Sequence, residues 1–239
     1  RAKHFYPSSA SASRNWQNYG GCVREAWYNL NDNIRPTNEV DEFVKWAGRL
    51  GKKIEEDLVE SWKEMGIWVA NNIKFYDAPR NISGEIDCII RDSETNKLLL
   101  VEVKSFANYQ NMVKLLGNRN FKAAPKRQHL IQVMIYLDQM KHISDWCLMV
   151  YYARDSEART QFRVRLRNTP EGTFPEVEGE LDTTHSLEDI YKRFEDLKGY
   201  VSRNELPPRD YQLDYSEETI RRLFSEGEIS KSKFEKWEK

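Results

Sequence analysis

Residues 84–104 read GEIDCIIRDSETNKLLLVEVK, and the fold turns on how that stretch divides. Residues 85–90 (EIDCII) and 97–103 (KLLLVEV) are short aliphatic runs of strand length, and residues 91–96 (RDSETN) supply the Asp, Ser and Asn that favour a reversal between them. The expectation is a β-hairpin. A turn centred between Glu94 and Thr95 sets Asp87 opposite Glu102, with Cβ atoms roughly 4.5 to 5.5 Å apart. Two anions that close repel, so burying both requires a proton on one or a cation between them, and hard divalent ions prefer such oxygen ligands. Lys104, two residues beyond Glu102, projects from the same face because strand side chains alternate. The plain alternative is an exposed cross-strand charge pattern. It fits poorly with residues 98–106 (LLLVEVKSF), whose continuous Leu and Val describe a strand buried on both faces.

An Asp on one strand followed by Glu-x-Lys on the next resembles the signature of the PD-(D/E)XK nuclease superfamily, here Asp87 and then Glu102-Val103-Lys104. Two flanking stretches extend the resemblance. Residues 48–56 (GRLGKKIEE) open a helical pattern in which Ile54, Leu58, Val59 and Trp62 recur at helical spacing. This displays Glu55 about a turn into the helix, and Gly51-x-x-x-Glu55 is similar to the first motif of lambda-exonuclease-like members, whose Glu is a metal ligand. Glu56 is the alternative register, and a solvated charged face is the ordinary reading of such a stretch. Residues 125–137 (PKRQHLIQVMIYL) place Pro near the start of a long apolar-periodic segment, as a helix N-terminus does. Gln128, Gln132 and Tyr136 are four apart and share a face. Gln132-x-x-x-Tyr136, with His129 ahead of it, resembles the fourth motif of RecB-like nucleases, where the helix lies beside the catalytic hairpin.

A weaker likeness lies in residues 13–28 (SRNWQNYGGCVREAWY), which resemble the Cys-x-Arg-x-x-aromatic segment of CRISPR-associated and helicase-associated RecB-like nucleases. In those relatives the Cys joins three more near the C-terminus around an iron–sulfur cluster. This sequence departs from that pattern: its cysteines are Cys22, Cys88 and Cys147, and none after position 147 completes four thiolate ligands. No iron–sulfur cluster is expected in this chain as given. Cys88 and Cys147 lie in apolar runs and read as reduced core residues.

The resemblance implies a Mg²⁺- or Mn²⁺-dependent nuclease that hydrolyses DNA phosphodiester bonds, with exonuclease action on ends or single strands ahead of endonuclease action. Glu55, Asp87 and Glu102 would hold one or two ions, with the Val103 carbonyl as a further ligand. Lys104 would orient the attacking water or meet developing charge, its pKa lowered by an apolar strand and opposed by its carboxylate neighbours. Gln132 and Tyr136 would position Lys104, the water or a phosphate. The rival readings are a non-cleaving DNA-binding or assembly subunit that keeps the fold, and a structural domain whose acidic hairpin binds a stray cation.

Charge is unevenly spread along the 239 residues although the net value is −1. Residues 104–141 carry seven basic side chains against Asp138 alone, whereas residues 171–239 carry eighteen acidic and eleven basic ones. The basic block suits a phosphate backbone held beside the hairpin. Its candidates for substrate binding are Arg119, Lys122, Lys126 and Arg127, together with Gln128 and His129. Phe106, Tyr109 and Phe121 among these cations suit base stacking, although a core position is the commoner fate of Phe. No apolar run approaches the roughly 20 residues of a membrane helix, no signal-peptide pattern opens the sequence, and three unpatterned cysteines form no disulfide framework. The expected home is a reducing cytosol, and no membrane partner is expected.

The expected architecture is α/β, a mixed central sheet flanked by helices like the restriction-endonuclease-like core, with helical additions at both ends. One nuclease domain spans residues 1–239: a helical segment 1–47, a catalytic core 48–167 and a helical extension 168–239. Within it, helices are expected at 14–30, 39–65, 125–141, 186–202 and 216–238, a helix-rich link at about 107–118, strands at 67–76, 145–154 and 160–167 besides the hairpin, and a loop at 168–180.

Overall fold

The structure is a computed structural model that describes residues 4–8, 23–30, 42–113, 115–117 and 122–207, with positions 221, 224, 225, 231, 234 and 235. Its elements in chain order are α1 (Val23–Leu30), α2 (Glu42–Glu64), β1 (Trp68–Asp77), β2 (Ile82–Arg91), β3 (Leu98–Phe106), α3 (Tyr109–Val113), α4 (Arg127–Gln139), β4 (Trp146–Ala153), β5 (Arg159–Thr169), β6 (Gly172–Val177), β7 (Glu180–Leu181) and α5 (Leu187–Ser202). The strands form one seven-stranded sheet in the order β1 to β7. Only β3 and β4 run parallel, joined by a crossover through α3 and α4; every other pair is antiparallel. The fold is thus α/β, a mixed sheet flanked by helices.

Burial follows the sequence pattern. Leu99, Leu100, Val101, Glu102 and Val103 of β3 are consecutively buried, as a strand covered on both faces requires. On one face Leu58 of α2 packs over Cys88, Ile90, Val101, Val103, Leu148 and Val150. On the other, Val133, Tyr136 and Leu137 of α4 pack over Ile86, Leu100, Met149, Phe162 and Val164. The outer side of α4, through Ile131, Met134 and Ile135, meets Ile190 and Phe194 of α5. This double contact explains why Leu130 to Leu137 are all buried, with Gln132 among them.

β2 and β3 pair only from Cys88↔Val101 to Arg91↔Leu98, in the expected register. Beyond that, β2 continues along β1 to Ile82 and β3 continues along β4 to Phe106. The sheet therefore forks where Asp87 and Glu102 would have been the next pair. Ile86 packs beneath α4 while Cys88, two residues on, packs beneath α2, so the alternation of β2 slips by one at Asp87. The β1–β2 ladder keeps its register from Asn71↔Cys88 to Ile73↔Ile86, across Asn72 with its φ of 56°, and shifts register only nearer its end, between Trp68 and Ala70. The change of face at Asp87 re-aims its side chain. On the edge of β2 that β3 has left, Phe5 forms a parallel bridge to Ile82, donating to Asn81 and accepting from Ser83 at 2.9 Å each.

Two expectations are corrected. Residues 168–180 are not a loop: β5, β6 and β7 continue the sheet through them. The Gly, Pro and Glu content that suggested a loop serves tight turns at Gly172 (φ 140°) and Gly179 (φ 86°) and an Arg165–Glu176 pair across the strands. In the helix-rich link expected at about 107–118, the described residues form one short helix, α3. The parts of the helices expected at 14–30 and 39–65 that precede Val23 and Glu42, and most of the helix expected at 216–238, lie outside the described residues. Among the described residues no helix is long and apolar enough to cross a membrane.

Candidate active site

The fork gives its two carboxylates different tasks. With the ladder broken, the Val103 N–H lacks a strand acceptor on the β2 side, and Asp87 Oδ2 supplies one at 2.7 Å. Glu102, 1% exposed, points from β3 toward α4. Its Oε1 accepts from Lys104 Nζ at 2.5 Å and from Gln132 Nε2 at 3.0 Å, and the same Gln132 amide donates to the Tyr136 hydroxyl at 2.7 Å. Glu102 Oε2 is buried and receives no N–H or O–H donor, with the Asp87 carboxyl beside Glu102. α2 runs close to β3, since a Cβ at Gly51 would lie 3.5 Å from Ser105 Oγ. One turn later Glu55 is half-buried and within electrostatic reach of Asp87, Lys104 and Glu102, whereas Glu56 is exposed. The helix register therefore favours Glu55. Five side chains expected from sequence, Glu55, Asp87, Glu102, Lys104 and Gln132, converge, and Tyr136 joins them through Gln132.

Burial dominates the electrostatics. It pushes the Glu102 carboxyl from 4.5 up to about 8, with help from Asp87 and against the pull of Lys104. Burial and then Asp87 push Glu55 from 4.5 to about 7. Asp87 is likewise raised, by burial first, against the pull of Lys104 and the Val103 N–H. The expectation of a lowered Lys104 is corrected: burial alone would lower it, but Glu102 and Asp87 outweigh burial and hold the ammonium above its ordinary 10.5. Lys104 is a cation here and not a base.

A hard divalent ion fits this donor set, because three carboxyls facing one ammonium repel one another and Glu102 Oε2 is an oxygen that no N–H or O–H satisfies. Glu55, Asp87 and Glu102 would hold it, with the Val103 carbonyl alongside. Among the described residues no three His, Cys, Asp or Glu side chains stand close enough together to hold a metal ion as they are placed.

Beside the fork, α4 begins at Lys126, whose N–H donates to the Tyr151 hydroxyl at 3.2 Å. Tyr151 is fully buried and also contacts His129 Nδ1 at 3.0 Å. Burial, then Lys104 and Lys126, lowers His129 to about 3, so it is neutral. Gln128 lies 3.2 Å from Nε2. No sequence signal singles out Tyr151, which sits in a strand that reads as pure core.

The basic block departs from expectation. Lys122 pairs with Glu180, and Arg127 lies 3.9 Å from Asp182, so acidic residues that looked remote in sequence are folded onto it. The β6–β7 turn and the segment after it bring them there. Lys126 places its ammonium over the Phe106 ring at 4.4 Å. Phe106 is buried, which makes it a core residue and not a stacking platform, while Tyr109 is 39% exposed. Arg119 and Phe121 lie outside the described residues.

No protein-family model and no curated protein matches this chain. Among solved structures, one described as "Crystal structure of SSO0001" is 15% identical, covers 83% of this chain and 77% of that one, and superposes with a TM-score of 0.46. That likeness is too slight to bear on the fold or the chemistry.

Proposed function

We propose that this protein is a metal-dependent deoxyribonuclease of the PD-(D/E)XK superfamily, of its RecB-like branch, acting as an exonuclease on DNA ends or single strands. The observation that carries the reading is the forked sheet, which buries Glu102 beside Asp87, leaves one Glu102 oxygen without a donor and holds a cationic Lys104 against the other. A bound Mg²⁺ or Mn²⁺ supplies a water of lowered pKa and neutralises charge on the phosphoryl oxygens. Lys104, kept as an ammonium, donates to a phosphoryl oxygen or to the attacking water and does not remove its proton. Gln132 and Tyr136 fix the rotamer of Glu102, so that its second oxygen faces the reacting centre. His129, neutral and held by Tyr151 at Nδ1 and by Gln128 at Nε2, lines the site beside the phosphate path without adding charge. Lys122, Lys126, Arg127 and Gln128 hold the strand beside it. Buried free thiols at Cys88 and Cys147 agree with a reducing cytosolic setting, and nothing in this reading calls on an iron–sulfur cluster.

The test is digestion of end-labelled linear and closed circular DNA, single- and double-stranded, with Mg²⁺, Mn²⁺ or EDTA. Cleavage of linear DNA that EDTA abolishes is expected. Binding without cleavage under every condition marks the non-cleaving subunit, and neither binding nor cleavage overturns the nuclease reading outright.

A further inference from the structure

Gly84 opens the Gly84-Glu85-Ile86-Asp87 stretch, yet its backbone shows no left-handed φ that would call for glycine. The reason is space. A Cβ at this position would lie 2.5 and 2.6 Å from two ring carbons of Phe75 and 3.1 Å from Pro7 Cγ. Phe75 is the cross-strand partner of Gly84 on β1, so its ring lies over the bare backbone of β2 three residues before Asp87. From there it meets Tyr136 edge-on, with centroids 5.8 Å apart and planes at 79°. The Tyr136 hydroxyl accepts from Gln132, and Gln132 donates its other amide hydrogen to Glu102 Oε1. A continuous path of contacts thus runs from a glycine on the far prong of the fork to the buried carboxylate on the near one.

We infer that Gly84 and Phe75 are positioning residues for the candidate site: the missing side chain at Gly84 lets the Phe75 ring buttress Tyr136, which holds Gln132 against Glu102. The inference rests on the nuclease reading only where it concerns turnover; the buttress itself is a claim about Gln132. Tyr136 is enclosed by the apolar cluster beneath α4, and an aromatic edge contact of this kind stabilises its seat beyond the area it buries. Replacing the Phe75 ring by Leu removes that edge contact while keeping the site apolar. Adding a methyl at Gly84 pushes the ring off its seat against Tyr136, because the opposing atoms are the ring itself and a proline.

The experiment compares wild type with Gly84→Ala, Phe75→Leu and the double variant by three measurements: side-chain amide ¹H–¹⁵N resonances of Gln132, melting temperature in EDTA, and kcat and KM on a linear oligonucleotide. Both single variants should shift the Gln132 amide pair, and kcat should fall about tenfold or more with KM within about twofold. In the double variant Leu makes room for the new methyl, so the melting temperature should recover while the Gln132 shift and the kcat loss remain. Unmoved Gln132 resonances in both single variants overturn the buttress. So does a kcat loss that disappears as soon as the double variant regains stability, because Gly84 would then serve packing alone. A wild type that never cleaves, with Gln132 shifting as stated, refutes the nuclease reading and leaves the buttress standing.

Discussion

Replacing Glu102 by Gln should abolish cleavage and, in metal-free buffer, stabilise the protein. Glu102 is buried beside Asp87, and its carboxyl is pushed from 4.5 to about 8. Below pH 4.5 the group is protonated folded and unfolded, so it costs nothing. Between 4.5 and about 8 the unfolded chain releases the proton and the folded chain keeps it, so stability falls as pH rises through this window. At pH 7 the difference is about two and a half pKa units, or roughly 3 kcal/mol at 1.36 kcal/mol per unit. Gln keeps the shape and the acceptor for Lys104 and Gln132, and its amide can donate to Asp87, whose carboxyl lies within hydrogen-bond range of Glu102. The variant should therefore melt together with wild type at pH 4.5 and above it by roughly 6 to 12 °C at pH 7, at about 2 to 4 °C per kcal/mol for a chain of this size. The assay is thermal unfolding in EDTA from pH 4.5 to 8.5. Saturating Mn²⁺ should reverse the order, because only wild type gains binding free energy. Parallel melting curves at every pH would falsify the claim that Glu102 is strained in the metal-free site.

Four further outcomes follow. Asp87→Ala should lose cleavage and also lose metal-free stability relative to Asp87→Asn, since it leaves the buried Val103 N–H without its acceptor at a cost of about 1 to 3 kcal/mol; equal melting temperatures for the two would show that water replaces the carboxylate. Lys104→Ala should lose turnover while retaining DNA binding, and Lys104→Arg should not restore it because a planar guanidinium cannot take the place of a compact ammonium held 2.5 Å from Glu102; normal cleavage by the Arg variant would reduce Lys104 to a phosphate contact. Mn²⁺ binding at pH 6.5 should release protons, because Glu55 and Glu102 titrate at about 7 and about 8, and calorimetry in buffers of different ionisation enthalpy should show the release shrinking above pH 8; the absence of buffer dependence counts against both assignments. Neutralising Lys122, Lys126 and Arg127 together should flatten the salt dependence of DNA binding in Ca²⁺ by roughly two units on single strands, at about 0.7 per phosphate contact; an unchanged slope would mean that DNA approaches from another face.

Much of this arrangement is legible in residue order. Hairpin register, the two-faced burial of β3 and the shared face of Gln132 and Tyr136 all follow from periods of 2 and 3.6, which hydrophobic residues mark plainly. The fork is not legible, because ladder geometry extrapolates Asp87↔Glu102 from the pairs below it and nothing local says that the backbone parts there. Lys104 shows a different limit: sequence sets its apolar strand against its carboxylate neighbours without saying which prevails, and in the fold Glu102, two residues back, together with Asp87 outweighs burial. The acidic hairpin over Lys122 and Arg127 was hidden for a similar reason, since contacts across 55 or more positions leave no trace in composition. Gly84 stands in the quoted stretch, but its partner Phe75 comes from another strand.

A sheet stitched together at the base of two prongs and free above has one soft deformation, the opening and closing of the prongs about the four remaining pairs. Asp87 rides on one prong and Glu102 on the other, tied across the gap by the Asp87 carboxylate, which accepts from the Val103 N–H of β3 and lies beside Glu102 and Lys104. The spacing of the two carboxylates is therefore set by the bend of a sheet more than by side-chain rotamers. Any force that spreads the prongs, whether like-charge repulsion or a wedge entering from the N-terminal segment at Phe5, works against the whole width of the sheet. A cation between the prongs would act as a latch, making closure of the sheet and completion of the site one event.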